Sequence, residues 1–586
     1  MTHGRGPFIE KQLRVSSCCG GWGYLVKIGK VYLLVKTERY LTKLSIKPFM
    51  QSIGIKHPAP IGRIAVGLLI AWVATSSGCT SLRDYVRNGF KVGPNYCQPD
   101  ADVADQWIDA DDPRISTNEE EQIRWWTVFR DEKLNGLIDE AYRQNLSLRE
   151  AGCRVLEARA QLGIATGQLF PQSQNVTGGY SRDAFSRLAP NTEPIQTAFS
   201  DQWNYGFNLS WELDFWGRFR RAIESNRATW TASIEDYDAT LVTLLGDVAS
   251  NYVQMRTVQE RIACTEANVQ LQRETLTITE ARFRGGTTSE LDVYQARSTL
   301  EQTQAQVAEL EIQLRQVTNQ LCILLGKPPE ELLNRLGRAP IPTAPTDAVV
   351  GIPADLLRRR PDVRQAERLA AAQCAEIGVA EANFYPAFSI NGTLGYSAQQ
   401  FDNVFRPRAF NSSVGPSFHW DVLNYGRLQN DVRYQDAKFQ ELVFAYRQKV
   451  LNANREAENG LVTFLRAQRR TKHQATSVQQ AQKAVVVVLA QYKAGTADFT
   501  RVTQVEQTLV QQQDVLAQAR GEIATGLVQV YRALGGGWQI RLDDQGTSGA
   551  PDALPPNPVA APANPPTSVD ADLPIAIPKP SPITSP

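Results

Sequence analysis

The chain says the same thing twice, and nothing else in it restricts the fold so strongly. "RFRGGTTSELDV" (Arg282–Val293) and "QYKAGTADFTRV" (Gln491–Val502) agree at an aromatic, a base, a glycine, a threonine and a closing valine, each 209 positions apart. The match extends in both directions. "NLSLREA" (Asn145–Ala151) parallels "RPDVRQA" (Arg360–Ala366) at an offset of 215, and "WELDFWGR" (Trp211–Arg218) parallels "WDVLNYGR" (Trp420–Arg427) at 209. A duplication of this extent predicts one structural unit built twice.

The place where the offset changes marks a loop. Tyr180 to Trp211 spans 31 positions, but Tyr396 to Trp420 spans 24. Length variation concentrates at exposed loop tips. On either side the text is rich in Gly, Thr, Ser and aromatics: "SQNVTGGYS", "WNYGFNLSW", "AFSINGTLGYS" and "SVGPSFHW". Apolar and polar residues alternate clearly in "WNYGFNLSW", loosely in the Gly/Thr/Ser-rich stretches and weakly in "SVGPSFHW", which predicts strand, loop, strand once per copy. Strands of about 9–11 residues suit a tilted membrane crossing. A membrane sheet must close on itself, and two hairpins are too few for any barrel, so the barrel is expected to be shared between chains.

The remainder carries helical heptads. Ile234, Leu241, Val248, Met255, Ile262, Val269, Leu276 and Phe283 are seven apart, and the second seam turns polar at Thr265, Gln272 and Thr279. The pattern restarts at Val293 and recurs in the second copy at Val502, Leu509, Leu516, Ile523 and Val530. Such heptads predict coiled-coil packing. A helix from about Phe215 to Phe283 extends roughly 100 Å, several times a bilayer core, and its outer faces are polar, so it stands in water. Gly285-Gly286 and Ala494-Gly495 then close two helical hairpins, with a left-handed glycine ending one helix and the following Thr or Ser capping the next.

Composition narrows the chemistry. Sixty-two basic residues balance 61 acidic ones in 586, net +1, so no electrostatic footprint for nucleic acid appears. The four histidines (His3, His57, His419, His473) are scattered, and nothing has metal-ligand spacing. There is no nucleophile elbow, phosphate-binding loop or dinucleotide fingerprint. No catalytic residue, metal or cofactor is expected. His419, beside Trp420, is expected at a membrane interface.

"IGRIAVGLLIAWVATSSGCTSL" has a base, a short apolar run and small residues ending at Cys79, the form of an export signal and too short for a spanning helix. Its ending resembles a bacterial lipobox, which makes Cys79 the lipidated first residue of the mature chain. Ser76 departs from the usual Leu, and an ordinary signal peptide with an unlipidated Cys79 is the alternative. Met50 begins a normal signal, so residues 1–49 are expected to precede the true start. The cysteines after Cys79 are five, an odd number without regular spacing, which argues against a disulfide framework.

The expected organisation is then a signal at 50–78, a lipidated lead-in at 79–133, a first repeat at 134–338, a linker at 339–351 and a second repeat at 352–538. A disordered Pro/Ala-rich tail at 539–586 follows.

"KVGPNY" (Lys91–Tyr96), "WELDFWGRFRR" (Trp211–Arg221), "ARFRGGTTSELDVYQAR" (Ala281–Arg297), "RRRPDVRQAE" (Arg358–Glu367) and "VYRALGGGW" (Val530–Trp538), in this order, resemble the TolC-like outer membrane factors, in particular the NodT-type lipoprotein branch serving tripartite efflux pumps. The resemblance implies a mostly α chain with a membrane β-barrel. Three identical chains would form a twelve-stranded outer-membrane barrel continuous with a twelve-helix periplasmic tunnel. It also implies a periplasmic adaptor and an inner-membrane RND-type transporter as partners, beside the outer-membrane lipid. The two hairpin turns would form the periplasmic entrance, where adaptors dock, with Gly286, Thr287, Gly495 and Thr496 at the tips.

Family members close this entrance with acidic rings and salt bridges. Asp292 matches the acidic position of the first copy, but Arg501 and Gln504 stand where the second copy often has aspartates, and Ala497 stands where an Arg partner is expected. The sequence-based expectation is an Asp292–Arg501 pair in the closed state. Plain helix reversals at the tips and ordinary solvated charges at Asp292 and Arg501 stay open beside these readings. A type I secretion channel and a periplasmic coiled-coil scaffold lipoprotein are the competing functions.

Overall fold

The computed structural model describes residues 82–104, 106–116, 123–184, 199–349 and 359–542, together with the backbone of a short hairpin, Gly23–Ile28 against Val31–Lys36. The expected signal at 50–78, Cys79 and most of the tail lie outside the described residues. So does the loop of the first strand hairpin. In chain order the main elements are α1 (Glu132–Gln144), α2 (Leu146–Gly167), β1 (Ser173–Ala184), β2 (Phe199–Leu213), α3 (Arg218–Arg284) and α4 (Glu290–Leu324). Then come α5 (Pro361–Ala382), β3 (Ala387–Ala398), β4 (Phe410–His419), α6 (Arg427–Lys493) and α7 (Phe499–Ala533).

The chain divides into two compact units, of which the first gathers residues 1–99, 161–228 and 370–441. Its sheet is antiparallel in the order β1-β2-β3-β4. Strand alternation sorts its two faces. One face carries a polar ladder: Asn208 donates to Asn175 and Thr177, Ser210 donates to Asn391, and Asn391 donates to Ser417. By register the other face holds Val176, Tyr180, Trp203, Tyr205, Phe207, Trp211, Ile390, Leu394, Tyr396, Phe410, Val414 and Phe418. The strands are 12, 15, 12 and 10 residues long, three of them longer than expected. Two tryptophans hold corresponding places, Trp211 donating to the Leu169 carbonyl and Trp420 to that of Phe384.

The lead-in is tied into this unit by a buried arginine. The Arg221 guanidinium donates to the carbonyls of Val92 and Gly93 and to the Asn95 side chain. Gly93 lies so near Gly378 that a Cβ on it would come 2.4 Å from the Gly378 Cα.

The second unit gathers residues 100–160, 229–369 and 442–586. Its main core joins Trp125, Trp126 and Phe129 to Leu241, Tyr252, Leu321, Phe464, Leu527 and Tyr531, with Trp125 stacked on Tyr531 at 5.5 Å. The tryptophan pair belongs to the lead-in, which the heptad pattern left outside the core. As expected, Leu241, Val248, Met255, Ile262 and Val269 are buried. The seam does not end where it turns polar: Thr265, Gln272 and Thr279 are buried as well, while Phe283 is exposed. Small hydroxyls satisfied by the preceding turn permit this at the two threonines; Thr265 donates to the Arg261 carbonyl and Thr279 to that of Thr275.

Candidate functional site

The two helix-hairpin tips form the candidate site, and both belong to the second unit. Each ends its long helix in the same way. Gly286 (φ +67°) donates to the Phe283 carbonyl and Thr287 to that of Arg282; Gly495 (φ +80°) donates to Tyr492 and Thr496 to Gln491. This is the paired closure of a Schellman turn, whose left-handed position favours glycine. Of the Thr or Ser residues expected to cap the following helix, Ser289 does so, but Thr287 and Thr496 do not. Their hydroxyls turn back to the Arg282 and Gln491 carbonyls, 3.0 and 3.1 Å away. The next helix begins at Ser289, which accepts from the Asp292 amide, or at Asp498, whose side chain makes no such bond. A hydroxyl within one residue of the left-handed glycine reaches the departing helix more easily than the arriving one.

The tips pack on each other. Tyr492, Phe499, Val502, Val488 and Ala296 form a buried cluster, with Leu276 and Ala497 against it. Arg282 of the first tip lies over the Tyr492 ring, 4.4 Å from its centroid, and donates to the Tyr492 carbonyl oxygen. Its counterpart in the other copy is Gln491, so this link exists once per chain. That mismatch within the repeat was its only sequence signal.

Below the tips, α3 and α7 are joined by polar contacts. Asn268 donates to Gln513 at 2.6 Å, Arg261 to Asp514 at 2.6 Å, and the Thr275 hydroxyl to the Glu506 carboxylate at 2.6 Å. Glu506 is only 3% exposed. Burial pushes its carboxyl up to about 7, against the opposing pull of the Thr275 hydrogen bond. The sequence reading missed it, although an acid between the seam residues Val502 and Leu509 was visible.

Of the gate candidates, Asp292 accepts from the Thr288 hydroxyl in the first turn of α4. Arg501 and Gln504 lie on the exposed side of α7. Among the described residues no ion pair joins Asp292 to Arg501 within the chain.

Long paired helices closed by two such tips, on a chain with a four-stranded sheet polar on one face and apolar on the other, can be set beside known proteins. The outer membrane efflux protein family matches residues 137–327 and again 352–536. The chain belongs to this family. As an outer membrane efflux protein it is the outer-membrane channel component of an efflux pump. Nodulation protein T of Rhizobium leguminosarum bv. trifolii is 29% identical over 457 residues, 77% of this chain and 95% of that protein. The pyoverdine export outer membrane protein OpmQ of Pseudomonas putida is 30% identical over 424 residues, 71% of this chain and 88% of that one. Among solved structures the outer-membrane channel OprN superposes with a TM-score of 0.71 at 32% identity, covering 76% of this chain and 99% of that one.

Proposed function

We propose that three copies of this efflux protein close into one conduit that passes small molecules outward without chemistry of its own. The observation that carries this is the open sheet: β1 and β4 each pair on one side only, while the apolar residues gather on one face and the polar ladder on the other. A membrane sheet with free edges leaves backbone groups unsatisfied in lipid, and three copies joined edge to edge remove every edge. The polar ladder then faces a water-filled lumen and the aromatic face meets lipid. The helices continue this as a tunnel in the periplasm, built from the two repeats of each chain.

In this reading Cys79 carries the lipid anchor, and Gly286, Thr287, Gly495 and Thr496 mark the tips where a periplasmic adaptor docks. An RND-type inner-membrane transporter supplies energy and selects the cargo. Asp292 pairs with Arg501 when the entrance closes. Membrane extracts are expected to contain a heat-modifiable trimer, and deletion of the gene is expected to raise susceptibility to a set of exported compounds. A monomer in extracts would overturn the shared barrel. Unchanged conductance and resistance in Arg501→Glu would overturn the gate pair.

A further inference from the structure

The segment joining β3 to β4, "FDNVFRPRAF" (Phe401–Phe410), sets three phenylalanines beside two arginines and one acid, Asp402. It is folded: a helical turn at Phe401–Val404 and a 3-10 turn at Pro407–Ala409, with Val404 buried. Phe401 meets Trp203 edge to face at 5.0 Å, and Trp203 lies 4.5 Å from Tyr180. The loop therefore rests on the apolar face of the sheet, away from the polar ladder. Phe401 and Phe405 nevertheless stay 54% and 68% exposed. With Gly178, Tyr180, Trp203 and Tyr205 they line a hollow of about 380 Å3.

Trp203 fixes the depth of this hollow. Trp203 and Trp211 are eight residues apart on one face of β2, roughly 27 Å along an extended strand. At a barrel strand's tilt of about 40° this is roughly 20 Å of height, most of the apolar band of about 25 Å in an outer-membrane barrel, whose two borders are aromatic. The helices join the sheet at the Trp211 end, so Trp203 stands at the outer border, where lipid headgroups begin. Arg182, nearby, is held by Asp201 at 3.7 Å. Arg406 and Arg408 are exposed, and neither forms an ion pair among the described residues. Two exposed arginines without ion pairs, in the loop whose Phe401, Val404 and Phe405 line an open aromatic hollow, at headgroup depth, fit a ligand with a phosphate and an acyl chain.

We propose that the Phe401–Phe410 loop is a binding site for a phosphorylated glycolipid of the outer leaflet, with acyl chain in the aromatic hollow and phosphate on Arg406 and Arg408. It rests on reading the sheet as part of a membrane barrel. The test is native mass spectrometry of the full-length trimer with added diphosphoryl lipid A, phosphatidylcholine or inorganic phosphate. Wild type is expected to retain lipid A and not phosphatidylcholine, and excess phosphate is expected not to displace it. Arg406→Glu with Arg408→Glu should lower lipid A retention roughly tenfold or more, as should Phe401→Ser with Phe405→Ser. Arg469→Glu, an exposed charge on α6, should leave it unchanged. Equal retention by wild type and the double arginine variant overturns the proposal, as does equal loss in Arg469→Glu or displacement by phosphate. Failure of the barrel reading shows differently, as wild type that yields no heat-modifiable trimer.

Discussion

Arg282 and Tyr492 join the two hairpins of one chain at their tips, the guanidinium 4.4 Å from the ring centroid while it also donates to the Tyr492 carbonyl. Tyr492 in turn reaches the Thr279 hydroxyl and packs on Phe499. One side chain thus engages the face of an aromatic and the end of the helix that bears it, where the carbonyl dipoles favour a cation.

Arg282→Ala is expected to loosen the tips by about 1–2 kcal/mol, the range of a partly desolvated cation–π contact with a charged hydrogen bond. Hydrogen exchange at residues 282–296 and 491–502 should quicken, with little change in the strands. Lysine should restore only part of the protection, because it lacks the planar guanidinium that stacks on the ring. Unchanged exchange in the alanine variant would count against the link.

Glu506 predicts a pH dependence. Its folded-state carboxyl titrates at about 7, above the ordinary glutamate value near 4.3. The folded protein therefore holds the proton longer than the unfolded chain. Stability from this group is fully present below the unfolded value and is lost as pH rises through about 7. The loss amounts to no more than about 4 kcal/mol. Glu506→Gln should be more resistant to denaturant than wild type at pH 8, and the two should converge near pH 4. A wild-type stability that does not fall between pH 5 and 8 more than that of the variant would refute this.

The tip glycines and the lead-in glycine should differ in sensitivity. Gly286 is left-handed but has open space around it, so Gly286→Ala should cost only the backbone term, about 1 kcal/mol. Gly93 is left-handed too, and a Cβ there meets the Gly378 backbone at 2.4 Å. Gly93→Ala should cost clearly more. Thermal melting of the two variants side by side would decide it; equal losses would mean that the close approach at Gly93 relaxes freely.

Arg221→Leu should release the lead-in. Its guanidinium satisfies two carbonyls and Asn95 in a buried setting, and removing such a charged donor costs about 3 kcal/mol or more. Limited proteolysis is expected to cut within residues 82–99 in the variant while the strands stay protected. Wild-type protection of that segment would show that other contacts suffice.

Much of this architecture was legible because it depends on period and repetition. Heptads at Leu241, Val248 and Met255 and alternation at Trp203, Tyr205 and Phe207 are local patterns, each read within a few turns of chain. The two glycine turns were legible for the same reason, since a left-handed residue is chosen by its own backbone. Buried Thr265, Gln272 and Thr279 were not, because whether a polar side chain is covered depends on the neighbour it meets. That a Thr or Ser caps the next helix held at Ser289 but not for Thr287 and Thr496, because free carbonyls of the departing helix and free amides of the arriving one lie close together at a turn.

The sequence by itself determined the repeated unit, the helix and strand periods, the hairpin turns and, through motifs in fixed order, the family. The tertiary structure alone decided the pairings between segments far apart in the chain: Arg282 on Tyr492, Thr275 on Glu506, Arg221 on the Val92 and Gly93 carbonyls. Periodicity is a property of one stretch of chain, whereas burial and partnership belong to a space that only the folded chain encloses.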